Sequence, residues 1–407
     1  MSRGTRSFLV LTLVFLFALS PACSKKQEPA APAKVAAAGK AAPAPAPAQV
    51  GGAYKIGAIF SVTGPASFLG DPEKKTAQML VDAVNKKGGI NGHLIELVVY
   101  DDAGEETTAV MNMKKLVESD QVLAVAGPSL SGTTLAVIKI AEESQVPLVS
   151  CAASVLITKP VKKWVFQTPQ TDVMAVERIV AHLQQKGLTK VGIITVSNGF
   201  GKSGKAALEE ILPANGITIA ANEVYNPSPP DLRVQITNLE AAAPQAIICW
   251  DTNPGPATLA KNLQEMGVKI PLIMSHGVAS KKFIELAGSA AEGIVLPAGK
   301  LIVASQLPDG DPQKAALLEY TSSYQAAYNE PVSTFGGHGW DALKQILEAL
   351  QTAGPDRAKI RDALERQQEF KGIGGVFRRT ENDHNGLNKD AFSLVTIENG
   401  DWKMLGD

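Results

Sequence analysis

The stretch KIGAIFSV, residues 55–62, decides the fold class of this chain. It is an almost continuous apolar run of strand length, which is typical of a strand buried in a parallel sheet. Ala77, Leu80, Val81 and Val84 then recur at helical spacing, and Gly88-Gly89 ends that helix. A buried strand followed by such a helix is the unit from which α/β domains are built.

The same unit repeats along the chain. Further strands are predicted over residues 94–100, 122–126, 147–150 and 165–166, with helices between them. After Thr171 the alternation restarts, with strands over residues 191–196, 219–224, 246–250 and 272–274. Two consecutive runs predict an α/β protein with two doubly wound parallel-sheet lobes and right-handed crossovers.

The end of the chain follows a different pattern. Residues 312–369 are predicted to be mostly helical, and residues 392–397 (FSLVTI), Asn399-Gly400 and residues 402–405 predict a terminal hairpin. We therefore expect the chain to return to the first lobe and to finish in the second. The predicted N-terminal lobe comprises residues 54–171 and 299–389, and the C-terminal lobe residues 172–298 and 390–407.

The first residues have the composition of a targeting segment. Arg3 and Arg6 precede an apolar run over residues 8–19, which is shorter than the roughly 20 residues that span a bilayer. Cys23 follows this run, as in a bacterial lipobox, so residues 1–23 are predicted to be a lipoprotein signal peptide; plain secretion is the alternative. Residues 24–53 are rich in Ala and Pro and predict a semi-rigid linker.

Composition and motifs exclude several classes of function. With 39 basic and 40 acidic residues the net charge is −1, so nothing favours binding to nucleic acid. GFGKSGK, residues 199–205, lacks the hydroxyl residue of a P-loop, and we interpret it as a ligand-facing loop. The five histidines show no metal-ligand spacing, and His384 is expected in a surface loop. We predict no catalytic residues, metal or cofactor, and buried free thiols at Cys151 and Cys249.

Two segments are candidates for contact with a ligand. In open parallel sheets, ligands bind beyond the carboxyl ends of the strands. Residues 127–134 (GPSLSGTT) follow the third strand and precede a helix, and residues 150–154 (SCAAS) follow the fourth. Hydroxyl groups and free N–H groups at a helix start can receive a carboxylate, although the same residues also serve as helix caps.

A set of short motifs, each weak alone, resembles the branched-chain amino-acid binding proteins of ABC importers, the leucine/isoleucine/valine type. These motifs are Gly64-Pro65, Gly70-Asp71, Lys87-Gly88-Gly89-Ile90, Gly92, Tyr100-Asp101-Asp102-Ala103, Gly127, the Ser131 and Ser154 turns, Ala290-Ala291-Glu292-Gly293 and Phe335. The resemblance implies the periplasmic binding protein type I fold, with two lobes joined by three crossings that close on a ligand. It also implies delivery of that ligand to a permease.

The resemblance assigns roles by position. Ser131 is expected to bind a ligand carboxylate through its hydroxyl, Ala152 through backbone groups and Ser154 through its hydroxyl. Leu69, Phe200 and Phe335 are expected to form apolar walls, and Thr252 is included among the ligand-binding residues. The expected partners are a small molecule, ABC permease subunits and a membrane reached through the lipid anchor, with the protein itself a monomer.

One position departs from the family. Where the amino-acid binders place a Glu that pairs with the ligand ammonium, this chain has His276, which supplies no fixed negative charge. Asp251 either compensates for this change or, as the favoured interpretation, caps the helix that begins near Pro254. We therefore expect an apolar, less acidic site for a small carboxylate that is either a branched-chain or apolar amino acid or an amine-free compound. A ligand-sensing module that signals to a partner protein is the alternative function.

Overall fold

The structure is a computed structural model that describes residues 52–252 and 254–406. The predicted signal peptide, its lipidation site Cys23 and nearly all of the predicted linker lie outside these residues. Among the residues that are described, no helix is both long enough and apolar enough to cross a membrane.

The first part of the chain forms a parallel sheet of five strands in the order β2-β1-β3-β4-β5. Its strands are β1 (Tyr54–Phe60), β2 (Ile95–Asp101), β3 (Val125–Ala126), β4 (Leu148–Ser150) and β5 (Val165–Gln167). The connecting helices are α1 (Ser67–Lys86), α2 (Glu106–Glu118) and α3 (Ser131–Glu143). β3 is shorter than predicted, although Leu123 and Ala124 still bond to β1 through backbone groups.

The second sheet has seven strands in the order β14-β13-β10-β9-β8-β6-β7. Its strands are β6 (Lys190–Val196), β7 (Thr218–Tyr225), β8 (Ala246–Trp250), β9 (Leu272–Met274), β10 (Val295–Gly299), β13 (Phe392–Glu398) and β14 (Asp401–Met404). The helices of this part are α4 (Asp172–Gln185), α5 (Gly199–Ala214), α6 (Arg233–Ala241), α7 (Gly255–Met266) and α8 (Lys281–Ala287).

The two sheets share one strand order. In the second sheet the run β7-β6-β8-β9-β10 is parallel and repeats the order of the first, and the antiparallel hairpin β13-β14 extends it beyond β10. The prediction of two doubly wound α/β halves is thus confirmed. β10 was not predicted, because a five-residue strand that contains Pro297 and ends in Gly299 carries little strand signal.

The segment between β10 and β13 returns to the first sheet. It contains α9 (Lys314–Tyr328), α10 (Thr334–Ala353), α11 (Arg357–Glu365) and a small sheet of β11 (Phe370–Lys371) and β12 (Val376–Phe377). α10 buries Leu343, Ile346 and Leu350 in the same core as Ile56 and Phe60 of β1. The chain therefore passes between the sheets after β5, after β10 and before β13, while the lobe boundaries given above stay a prediction.

The expectation for the two cysteines is confirmed, and the expectation for His384 is not. Cys151, which follows β4, and Cys249 of β8 are buried free cysteines, which confirms the prediction. His384 does not lie on the surface: its ring is buried, stacks on Phe166 at 4.4 Å and hydrogen-bonds the Val165 carbonyl at 2.9 Å. The expectation was wrong because the segment before β13 packs against the first sheet.

If α10 is part of the first core, removing a side chain from its buried face should destabilise the protein. We expect Leu343→Ala to cost about 2–5 kcal/mol of unfolding free energy, measured by urea unfolding, because a fully buried leucine leaves a cavity. Leu318→Ala on α9 is the matched control, since Leu318 is 41% exposed and should cost no more than about 0.5 kcal/mol. Equal effects of the two substitutions would contradict the packing described here.

Candidate functional site

A cavity of about 520 Å³ lies between the two sheets. The first wall is formed by residues that follow strands β1 to β5, together with Phe335 and His338 of α10. The second wall is formed by residues that follow strands β6 to β9. The cavity thus lies at the carboxyl ends of both sets of parallel strands, which is the edge at which the sequence predicts a ligand.

The structure brings seven of the eight predicted ligand-binding residues to this cavity. Leu69, Ser131, Ala152 and Phe335 lie in the first wall, and Phe200, Thr252 and His276 lie in the second. Ser154 does not line the cavity.

The polar part of the first wall is held by a short network. Ser131 opens α3, and its hydroxyl oxygen accepts a bond from the Ser154 N–H at 3.3 Å, which leaves the hydroxyl proton available. The Ala152 N–H donates to the Ser150 hydroxyl at 3.1 Å. Gln167 donates to the Ala152 carbonyl at 2.6 Å and to the Ser154 carbonyl at 3.1 Å. Gln167 was missed because a glutamine that ends a predicted strand gives no signal of its partners.

Ser154 lies behind this wall and joins the two halves of the molecule. Its hydroxyl donates to the Ser203 hydroxyl of α5 at 2.7 Å and accepts a bond from the Leu156 N–H at 3.2 Å. Ser203 donates in turn to the carboxylate of Asp172, the first residue of α4. Burial raises the pKa of Asp172 to about 7. The expected contact between the Ser154 hydroxyl and a ligand is therefore replaced by a contact between the sheets.

A second buried network underlies the cavity at Ser129. The Ser129 hydroxyl oxygen accepts a bond from the Ser61 N–H at 3.0 Å and contacts the carboxyl group of Glu73 on α1. Glu73 is fully buried, and burial raises the pKa of its carboxyl group well above the ordinary value. Sequence reasoning missed this pair, since Glu73 stands among several charged residues of an amphipathic helix.

Apolar side chains occupy the centre of both walls. Leu69 and Phe335 pack in one cluster with Ala66, and Phe335 meets Phe68 edge to face at 5.7 Å. On the other side Phe200 is the second residue of α5, so the predicted ligand-facing loop is in fact the first turn of a helix. The helix begins there because the Asn198 side chain caps the Gly201 N–H at 3.0 Å.

α3 and α5 touch where they begin. A Cβ atom placed on Gly199 would lie 2.9 Å from the backbone nitrogen of Gly132, so only glycine fits at this contact. Two helix starts, each with free N–H groups, therefore meet at the edge of the cavity beside Ser131.

His276 is enclosed by aromatic rings rather than presented to a polar ligand. Its ring centroid lies 5.3 to 5.8 Å from those of Phe200, Trp250 and Phe392, and both ring nitrogens are buried without a hydrogen-bond partner in the described structure. Burial, and to a smaller extent the nearby His338, lowers the pKa of His276 to about 3. The imidazole is therefore neutral at pH 7, and it supplies no negative charge to the cavity.

Asp251 follows β8 and does not cap α7. That helix begins at Gly255 with Pro254 as its cap residue and without a side-chain cap bond. The Asp251 carboxylate instead accepts bonds from the Thr252 N–H at 2.6 Å and from the Tyr225 hydroxyl at 2.7 Å. The favoured interpretation from sequence was wrong, because Tyr225 ends the strand two places across the sheet and brings a stronger partner. Burial raises the pKa of Asp251 to about 7.

Within residues 52–252 and 254–406, no three His, Cys, Asp or Glu residues are grouped so that they could hold a metal ion. What the cavity offers is a hydroxyl donor beside two helix starts, an apolar centre and one buried carboxylate.

The enclosed histidines give a test of the site geometry. The pKa values of His276 and His338 are both about 3 in the folded protein against 6.5 ordinarily, so the unfolded state binds more protons between these values. Stability from these groups is complete above pH 6.5 and is lost as the pH falls toward 3. We expect the NMR signals of both rings to keep their positions from about pH 8 to about pH 5. The same rings should titrate in urea-unfolded protein, and a native signal that shifts near the ordinary pKa would contradict the enclosure.

Comparison with known proteins agrees with this geometry. Residues 53–401 match the family described as periplasmic binding protein. The Leu/Ile/Val-binding protein BraC3 of Rhizobium johnstonii is 28% identical over 353 residues, which cover 85% of this chain and 92% of that protein. The leucine-, isoleucine-, valine-, threonine- and alanine-binding protein of Pseudomonas aeruginosa is 26% identical, over 76% of this chain and 81% of its own length.

Solved structures show the same fold. An extracellular ligand-binding receptor from Rhodopseudomonas palustris HaA2 is 28% identical, with a TM-score of 0.82 over 87% of this chain and 99% of its own. These findings confirm the predicted fold and the prediction of a substrate-binding protein rather than an enzyme. With its cavity between two doubly wound sheets, the chain belongs to the periplasmic binding protein family.

Proposed function

We propose that this protein is an extracytoplasmic lipoprotein that captures a small carboxylate-bearing solute and delivers it to an ABC importer. The observation that supports this class of ligand is the position of the Ser131 hydroxyl. Its hydroxyl proton is free to donate into the cavity, at the start of α3 and beside the start of α5. A carboxylate is favoured at such a place, because hydroxyl and backbone N–H donors and the helix dipole act together.

The remainder of the ligand is apolar and small. Leu69 and Phe335 face the cavity from the first wall and Phe200 from the second, and a volume of about 520 Å³ is within the range of small-molecule sites. The Leu/Ile/Val-binding names of the relatives support the same class. Branched-chain or apolar amino acids and amine-free carboxylates of similar size both meet these requirements.

Delivery to a permease is the role that the relatives' family suggests for such a protein. Capture would need the two sheets to separate and close again about the three crossings, as in other hinged binding proteins. The lipid anchor at Cys23 would hold the protein at a membrane while the linker leaves the folded part in solution.

A thermal-shift screen tests the ligand class. The purified protein, unfolded and refolded to remove carried ligand, is offered Leu, Ile, Val, other amino acids, 2-oxo acids, aromatic carboxylates and small amides. A ligand at a hundredfold excess over its Kd stabilises the native state by about 2.7 kcal/mol. Ser131→Ala should then weaken binding of the best carboxylate by about 1.5–3 kcal/mol, measured by calorimetry, because a charged acceptor loses its donor.

Ser119→Ala is the matched control, since Ser119 is an exposed residue that follows α2. It should leave the Kd unchanged. Equal affinities of wild type and Ser131→Ala would remove Ser131 from the site, and a response to neutral amides alone would contradict the carboxylate.

The anchor has its own test. Cys23→Ala should abolish incorporation of labelled palmitate and move the protein from the detergent phase to the aqueous phase. Wild-type protein that takes up no label, with an N-terminus other than residue 23, would favour plain secretion.

A further inference from the structure

One of the acidic residues that line the cavity is buried. Three acidic residues line it, namely Glu105 and Glu106 in the first wall and Asp251 in the second. Glu105 and Glu106 are exposed, so water and salt screen them, whereas Asp251 is only 4% exposed. A buried carboxylate that borders a ligand cavity is costly to maintain unless a partner meets it there.

The Asp251 side chain is fixed before any ligand arrives. Thr252 holds one carboxylate oxygen and the Tyr225 hydroxyl holds the other, at 2.6 and 2.7 Å. The Ser275 hydroxyl donates to the Asp251 carbonyl at 3.0 Å and fixes the backbone. At residue 255 a Cβ atom would lie 2.2 Å from the second carboxylate oxygen, so the first turn of α7 leaves room for this carboxylate only because it is glycine.

These bonds leave acceptor capacity unused. An ionised carboxylate has about four acceptor positions, of which the two contacts take two, and it has no donor to offer. A group that approaches the ionised form of Asp251 from the cavity must therefore bring an N–H or O–H donor. His276, its neighbour in the second wall, has a pKa that burial lowers to about 3, so it brings no negative charge to that donor.

Asp251 and Ser131 lie on opposite walls with Phe200 between them. Gly199 touches the start of α3 next to Ser131, and the Phe200 ring continues along the second wall to Gly277. Gly277 lies against both the Phe200 ring and the Asp251 carbonyl. A ligand held by Ser131 through its carboxylate would thus lie along Phe200 and extend toward Asp251.

We propose that Asp251, held in place by Tyr225, selects ligands that carry a hydrogen-bond donor, above all an ammonium group, in addition to their carboxylate. This inference rests on the proposed function and names the residue that decides between its two ligand classes. It places the negative charge at the end of β8 rather than at the position of His276.

Protonation of Asp251 supports this role and adds a readout. Burial raises its pKa to about 7, so a bound cation that favours the ionised form should release about half a proton at neutral pH. Asp172 also has a pKa that burial raises to about 7, but it reaches Ser131 only through Ser203 and Ser154, so proton release that persists in Asp251→Asn would come from Asp172. The groups nearer to Asp251 have pKa values far from 7. Burial raises the pKa values of Tyr225 and Cys249, and it lowers those of His276 and His338 to about 3. Glu105 and Glu106 share the cavity from the opposite wall.

The test compares matched ligands that differ only in the amine: leucine with 4-methylpentanoate, and phenylalanine with 3-phenylpropanoate. Wild-type protein should bind the amine-bearing member of each pair at least about tenfold more tightly, as measured by calorimetry. It should also release protons on binding that member, which is measured by comparing the binding heats in phosphate and in Tris. Asp251→Asn should bring the two members of a pair to within about threefold, leave the amine-free Kd nearly unchanged and abolish proton release. Tyr225→Phe keeps the charge and should weaken only the amine-bearing member, by about threefold to tenfold.

Asp309→Asn is the control, since the Asp309 side chain is exposed and distant from the cavity. Thermal unfolding of each variant checks that it is folded. Wild-type preference for the amine-free members would overturn the inference, as would an equal loss for both members in folded Asp251→Asn and Tyr225→Phe. The inference would also be overturned if Glu106→Gln, rather than Asp251→Asn, removed the preference for the amine-bearing ligand. If wild type binds neither member of either pair, the proposed ligand class itself fails, which is a distinct result.

Discussion

The hydrogen-bond chain from Ser131 through Ser154 and Ser203 to Asp172 holds the site together. It begins at the cavity, passes behind the first wall and ends on the first residue of α4. Because Ser154 and Asp172 have no exposed surface and Ser203 is 3% exposed, water does not replace these bonds while the sheets are together. The wall that meets the ligand is therefore positioned by contacts to the opposite half of the molecule.

Asp172 makes this chain sensitive to protons. Its folded-state pKa of about 7 exceeds the ordinary 3.8, so between these values the folded protein binds more protons than the unfolded one. The stability that this group contributes is complete at acid pH and is lost as the pH rises through 7. The neutral histidines act in the opposite direction, whereas Asp251 and Asp341, whose pKa values burial also raises to about 7, add to the effect of Asp172.

The strands and helices with periodic apolar residues could be predicted from sequence. Side-chain contacts between distant segments of the chain could not. The strands at Ala246–Trp250 and Leu272–Met274 agree with prediction to the residue, because continuous apolar runs define buried strands. The partners of Asp251 and Ser154 were missed because Tyr225 and Ser203 lie 26 and 49 positions away in the chain. Local patterns favour nearby roles, such as a helix cap for Asp251 or a ligand contact for Ser154, and long-range pairing overrides both.

The position of Tyr54 has a consequence for the layout of the first sheet. β1 begins at Tyr54, whose ring stacks on His93, and the His93 ring bonds the Gly52 carbonyl at 2.8 Å. The cavity lies beyond the other end of β1, about 20 Å away along a strand of seven residues. The amino end of β1 and the cavity therefore lie at opposite edges of the first sheet, so residues 52–54 pack away from the residues that meet a ligand.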